Sequence, residues 1–154
     1  MGKKNMKNKA IFCMVLFMLA LVSITGICAE NVNFDNSSFT LPEGFSVYSI
    51  EGDQVALLNS TTAIRVYHND THEDYETLKY YRQKLGYNLI GEANYEVDGI
   101  KINQQNYTKD NITVSVREFT KNDKFYMISV SVLTGHNVLE EYDNIVTDII
   151  RSLN

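Results

Sequence analysis

The densest group of side chains able to do chemistry is YHNDTHEDYE, residues 67–76, which holds two of the chain's three histidines among acidic and amide residues. His68, Asp70, His72 and Asp74 could offer nitrogen and oxygen ligands from a strand end and a helix start, a set that zinc accepts. With a metal bound, the stretch would be a metal-dependent module or a hydrolase. Its spacing follows no established pattern, because His72 and Glu73 are followed by Asp74, Tyr75 and Glu76 rather than by the second histidine of HExxH. The alternating acids and central glycine of a calcium loop are also missing. A structural reading accounts for more of the residues. Thr71 with Asp74 resembles a capping box, and Glu73, Asp74 and Glu76 put negative charge in a first turn, where the helix dipole favours it.

Other chemistry has less to stand on. There is no Gly-x-Ser-x-Gly elbow for an activated serine and no glycine-rich phosphate cradle. His136 falls beside the expected start of the last helix, where a polar residue is ordinary. No catalytic residue and no cofactor is implied. A quieter candidate lies in the second half of the chain, where Gln104 shares a strand face with Ile100 and Ile102, and Arg117 alternates with Ser115 and Phe119. Polar residues on such a face either form a binding surface or mark where the face leaves the core and meets water.

These residues have to be positioned by a single domain. Residues 1–29 read as an export signal: Lys3, Lys4, Lys7 and Lys9 precede an apolar run from Ala10 to Ile27, closed by Cys28 and Ala29. Cleavage after Ala29 is the expectation, with an uncleaved membrane anchor as the alternative, since the run is just long enough to span a bilayer. A polar lead over 30–38 and one α+β domain over 39–154 follow. Four of the fourteen basic residues and none of the nineteen acidic ones lie in residues 1–29, so residues 30–154 carry a net charge of −9. Such a surface repels phosphate backbones, which excludes nucleic acid as the expected partner. Anionic membranes are disfavoured for the same reason, and contact with a membrane is expected only through an uncleaved amino-terminal segment. Both cysteines, Cys13 and Cys28, belong to the signal, so the domain has no thiol for disulfides, metal ligation or nucleophilic attack. Asn-x-Ser/Thr triplets begin at Asn36, Asn59, Asn69, Asn106 and Asn111, each an acceptor if the cell glycosylates exported chains.

Pro42 and Gly44 mark a turn into FSVYSI, QVALLN and AIRVYH, three strand-like runs rich in β-branched and aromatic residues. A helix is expected from about Thr71 to Leu85, with Tyr75, Leu78, Tyr81 and Leu85 on one face and Gly86 ending it. Four strands then form a meander: NLIGEANYEV, IKINQQNY, ITVSVREFT and FYMISVSV. Asp98 and Gly99 should close a two-residue hairpin that sets Val97 against Ile100, Glu96 against Lys101 and Tyr95 against Ile102. The last helix has Asn137 as its expected cap, with Glu140 three residues on. Its apolar stripe comprises Val138, Tyr142, Ile145, Val146, Ile149, Ile150 and Leu153 and must lie on the sheet.

The fold class is therefore α+β, a largely antiparallel sheet of about six or seven strands with two main helices. FTLPEGFSVYSI, the meander and YDNIVTDIIRSLN together resemble the PsbP-like family of small α/β sandwiches over most of residues 39–154. The resemblance implies fold, since its motifs are core positions and turns. The Asn-rich, Lys-led chain also resembles small exported proteins of methanogenic archaea. The functional expectation is an exported, non-catalytic binding or accessory domain at the cell surface or outside the cell, contacting a protein or cell-envelope component. The alternatives are the metal-dependent module at His68–Asp74 and a glycosylated structural surface protein.

Overall fold

The computed structural model describes residues 30–70, 75–133 and 142–154. Nine strands and two helices follow in chain order: β1 (Asn31–Phe34), β2 (Ser37–Thr40), β3 (Ser46–Glu51), β4 (Gln54–Leu58), β5 (Thr62–Asn69), α1 (Tyr75–Lys84), β6 (Asn88–Val97), β7 (Ile100–Lys109), β8 (Ile112–Lys121), β9 (Lys124–Leu133) and α2 (Asp143–Ser152). Strands β3 to β9 form one sheet in the order β3-β4-β5-β9-β8-β7-β6, and every neighbouring pair is antiparallel. The expected α+β class and strand set are thus present. The β6–β7 register is also the one read from Asp98-Gly99, pairing Val97 with Ile100, Glu96 with Lys101 and Tyr95 with Ile102. Both turn residues have positive φ, which a type I′ turn requires.

One face of the sheet is closed. Val55 and Leu57 on β4, Ile64 and Val66 on β5, and Ile128 and Val130 on β9 point to it, and all are buried. They share one core with α2, whose Val146, Ile149 and Ile150 are buried, as is Leu153 just beyond it, each burial stabilising by roughly 1.5–3 kcal/mol. The β1–β2 hairpin covers the same face. It lies largely within the segment read as a polar lead, yet Val32 and Phe34 alternate inward with Phe39, and that alternation makes the hairpin part of the core. Ser38 and Asn154 exchange backbone hydrogen bonds of 3.3 and 3.0 Å, which ties the hairpin to the chain's last residue.

Two details differ from the sequence reading. The N-cap of α2 is Tyr142, without a side-chain capping bond, rather than Asn137, which lies outside the described residues. Tyr142 is instead anchored through its hydroxyl, which accepts a 2.6 Å bond from Thr62 Oγ1. The inward face of α1 is Tyr75, Leu78, Lys79 and Arg82, not Tyr75, Leu78, Tyr81 and Leu85, and both Tyr81 and Leu85 are exposed. The cause is a charge: Arg82 points to the sheet because a buried glutamate waits there.

Candidate functional site

Arg117 and Glu118 are adjacent on β8, so their side chains leave the sheet on opposite faces, and each is only 1 % exposed. Each anchors a polar cluster on its own face of the sheet.

On the closed face, Arg117 donates through Nη2 to Asp143 in the first turn of α2 and through Nε to the Tyr95 hydroxyl at 3.2 Å. Its cross-strand partner is Gln104. The two polar residues singled out in the meander are thus brought side by side, and Gln104 Nε2 donates to Asn106 at 3.2 Å. Arg117 does not meet water. It is a cross-link between the sheet and the start of α2, with Nη1 and the nearby Ser115 hydroxyl making no hydrogen bond among the described residues.

On the opposite face, Glu118 accepts from Arg82 Nη2, and Arg82 Nη1 donates to Gln105 Oε1 at 2.9 Å. The Tyr107 hydroxyl donates to the same Gln105 oxygen at 2.6 Å, and the Arg82 guanidinium lies 5.7 Å from the centre of the Tyr107 ring. Burial raises the Tyr107 phenol above its ordinary range against the opposing pull of Arg82. Burial, with Glu118 adding to it, raises Tyr75 as well. Local sequence fixes this geometry. Gly86, at φ 86°, ends α1 with backbone bonds from Gly86 to Gln83 and from Tyr87 to Arg82, a Schellman motif that sets Arg82 and Tyr87 on the same side of the turn. Tyr87 then meets Tyr107 edge to face at 6.3 Å.

Beside this cluster the face is open. Helix α1 buries none of its residues. Between Arg82 and Tyr87 on one side and β5 on the other runs a groove of about 360 Å³. Its floor is Val114, Val116 and Met127, and the small side chains of Ala63, Ser129 and Ser131 make it concave. Arg65 lies on the β5 side, exposed, with no hydrogen bond or ion pair among the described residues.

His68, Asp70, His72 and Asp74 are not shown as a set, because His72 and Asp74 lie outside the described residues. His68 is buried on the closed face, with ring centroids 5.2 Å from Phe34 and 5.9 Å from Tyr126, and its Nε2 is 3.5 Å from Asp35. Asp70 is exposed beyond the end of β5. Among the described residues no three of His, Cys, Asp and Glu are grouped so that they could hold a metal. Asn36 and Asn111 are exposed in turns, Asn59 and Asn69 are half-buried at strand ends, and Asn106 is half-buried inside β7. Arg82, Gln105 and Glu118 were not singled out by sequence, nor was Arg65. Two signals were available: adjacent opposite charges inside VSVREF, and serines alternating with apolar residues in ISVSV.

A seven-stranded antiparallel sheet closed by a hairpin and terminal helix on one face, with a second helix on the other, is a PsbP-like α+β sandwich. The fold is similar to that of cyanobacterial PsbP (CyanoP) from Synechocystis sp. PCC 6803, with a TM-score of 0.55 and 14% identity over 84% of this chain and 95% of that one. It is also similar to the Saccharomyces cerevisiae Ran-binding protein Mog1p, with a TM-score of 0.52 and 11% identity over 82% of this chain and 95% of the other. At such identities the likeness is one of fold. No protein-family profile matches the sequence, and no curated protein is significantly similar to it.

Proposed function

We propose that this chain is an exported, non-catalytic binding or accessory domain that acts outside the membrane on a protein or cell-envelope component. One observation carries the reading: among the described residues α1 leaves part of its sheet face uncovered, and that part is shaped as a groove with an apolar floor and a guanidinium that none of them pairs. Concave, mostly apolar surfaces with a few convergent polar groups are where ligands and partners dock. Mog1p, a structural neighbour, is a Ran-binding protein, which is compatible with a fold that serves as a docking surface. Export rests on the Lys-led apolar run of residues 1–29. Among the described residues no helix is long and apolar enough to cross a membrane.

The test is saturable binding of the purified chain to native envelope preparations, compared with a Ser129→Leu variant that fills the groove. Loss of at least tenfold in affinity with unchanged circular dichroism is the expected result. Equal binding by the variant would remove the groove from the function. Saturable binding that requires added zinc and disappears in His68→Ala would turn the reading toward the metal-dependent module.

A further inference from the structure

We infer that the groove takes a small amphipathic monoanion, an apolar body carrying one carboxylate or similar oxyanion, with the charged end on Arg65. The inference rests on the binding reading above and names the chemistry of its ligand.

Charge is the first argument. Residues 30–154 carry a net charge of −9, yet the described lining of the groove contains two arginines and no carboxylate. The two arginines are not equivalent. Arg82 is spent on Glu118 and Gln105, so its charge is balanced inside the protein. Arg65 is balanced by nothing among the described residues, and a guanidinium forks onto a carboxylate through two parallel hydrogen bonds. One uncompensated cation in an acidic protein selects one negative charge and repels a positive one.

Register supplies the second argument. Arg65 pairs with Ser129, Ser129 with Val116, and Val116 with Gln105, so these four side chains form a row across β5, β9, β8 and β7 on one face. Ala63, Ser131, Val114 and Tyr107 form the next row in the same way. Three strand spacings make each row roughly 14 Å long. The chemistry changes along that length, from the cation at Arg65, through two serine hydroxyls, to the apolar stretch of Val114 and Val116, and ends on Gln105 and the Tyr107 ring, which are bonded to each other. A ligand with charge at one end and apolar surface at the other matches this order. In the reverse orientation the charged end would meet Arg82, whose guanidinium is already engaged by Glu118 and Gln105 and has less to offer a second anion.

The groove is too small for a folded partner's edge and has the volume of a small-molecule site. We therefore commit to a single soluble amphiphile rather than a membrane surface, which the acidic remainder of the domain would repel when anionic.

Octanoate is a suitable probe because it stays monomeric, with octan-1-ol and octyltrimethylammonium as controls of equal length. Titrations of the full chain are followed by amide chemical shifts in β5 and β9, and the apolar amino-terminal run is common to every variant, so differences between variants report the groove. Octanoate is expected to shift the amides around Ser129 and Ser131 saturably. Arg65→Gln should raise its Kd at least fivefold, Ser129→Leu should abolish the shifts, and octyltrimethylammonium should leave them unmoved. An octanoate Kd unchanged in Arg65→Gln, or equal binding of the cationic amphiphile, would overturn the assignment of ligand class while the binding reading stands. No shift with any amphiphile would overturn it too, and the binding reading would then be judged by the Ser129→Leu comparison on envelope preparations. Binding to anionic vesicles without binding of octanoate would replace the soluble ligand by a membrane.

Discussion

The two faces of the sheet are built from the same strands and do different work. The closed face is covered by α2 and the β1–β2 hairpin, and its residues from β4, β5 and β9 are almost wholly apolar and buried. Among the described residues the other face is covered by α1 alone, which buries no residue and is held by the Arg82–Glu118–Gln105 cluster and by a Lys79–Glu92 pair at 2.8 Å. Packing gives the first face most of its strength, with Arg117 adding a directed link to Asp143. Charge gives the second a fixed helix position, and the uncovered remainder a shape. If the open face binds as proposed, stability and binding are lodged on opposite sides of the sheet, and substitutions should separate them.

The largest effect is expected on the closed face. Phe39 is 1% exposed and packs edge to face on Phe34 with ring centroids 5.8 Å apart, so Phe39→Ala should cost about 3–5 kcal/mol of unfolding free energy, read from the denaturant midpoint. A loss below about 1 kcal/mol would mean the hairpin is not part of the cooperative core. Next comes Arg82→Met, which leaves Glu118 buried beside one fewer cation and should cost about 3 kcal/mol. It should also loosen α1, so faster amide exchange confined to residues 75–84 would place the damage on the open face alone. Uniform loss of protection across both faces would instead erase the distinction between them. Arg65→Gln is the smallest of the three, within about 0.5 kcal/mol in stability, because the side chain is exposed and has no partner among the described residues.

Much of the closed face was legible in the sequence. Period-two alternation in QVALLN, AIRVYH and FYMISVSV, the Asp98-Gly99 turn and the apolar stripe of the last helix are local patterns, and they specify strands, register and the packed side of α2. The β1–β2 hairpin was not legible because Val32 and Phe34 are two apolar residues in a polar run, too few to show a period until Phe39 and α2 supply the other side. The α1 face was misread for a related reason. Periodicity counts Tyr81 and Leu85 as apolar and Arg82 as polar, whereas the fold values Arg82 more highly because Glu118, thirty-six positions later, is buried opposite it. Gln104 and Arg117 were found as cross-face polar residues, since alternation within a strand reveals them. Their union with Asp143 required the register and the docking of α2.

Alkaline pH should act on the open face first. Burial raises the phenols of Tyr107 and Tyr75 above the ordinary 10.0, with Arg82 opposing the shift at Tyr107 and Glu118 reinforcing it at both. In the unfolded chain these phenols release their protons near the ordinary value, while in the folded protein they keep them. Between the two values the unfolded state binds fewer protons, so stability falls as pH rises. Their contribution is therefore complete below pH 10.0 and lost as pH climbs through the raised native values. Lys121 has the opposite sign: burial lowers its pKa, and its contribution grows as pH rises toward 10.5. It bonds the carbonyls of Ile150 and Arg151 at the end of α2, so the two trends belong to different faces. Denaturant midpoints measured from neutral pH upward should fall less steeply in Tyr107→Phe than in the parent, after a constant loss of about 1 kcal/mol for the missing bond to Gln105. Parallel curves would show that the Tyr107 phenol ionises in the folded protein as readily as in the unfolded chain. The open face would then be wet enough at Tyr107 that its polar cluster, rather than burial, sets the chemistry of the groove wall.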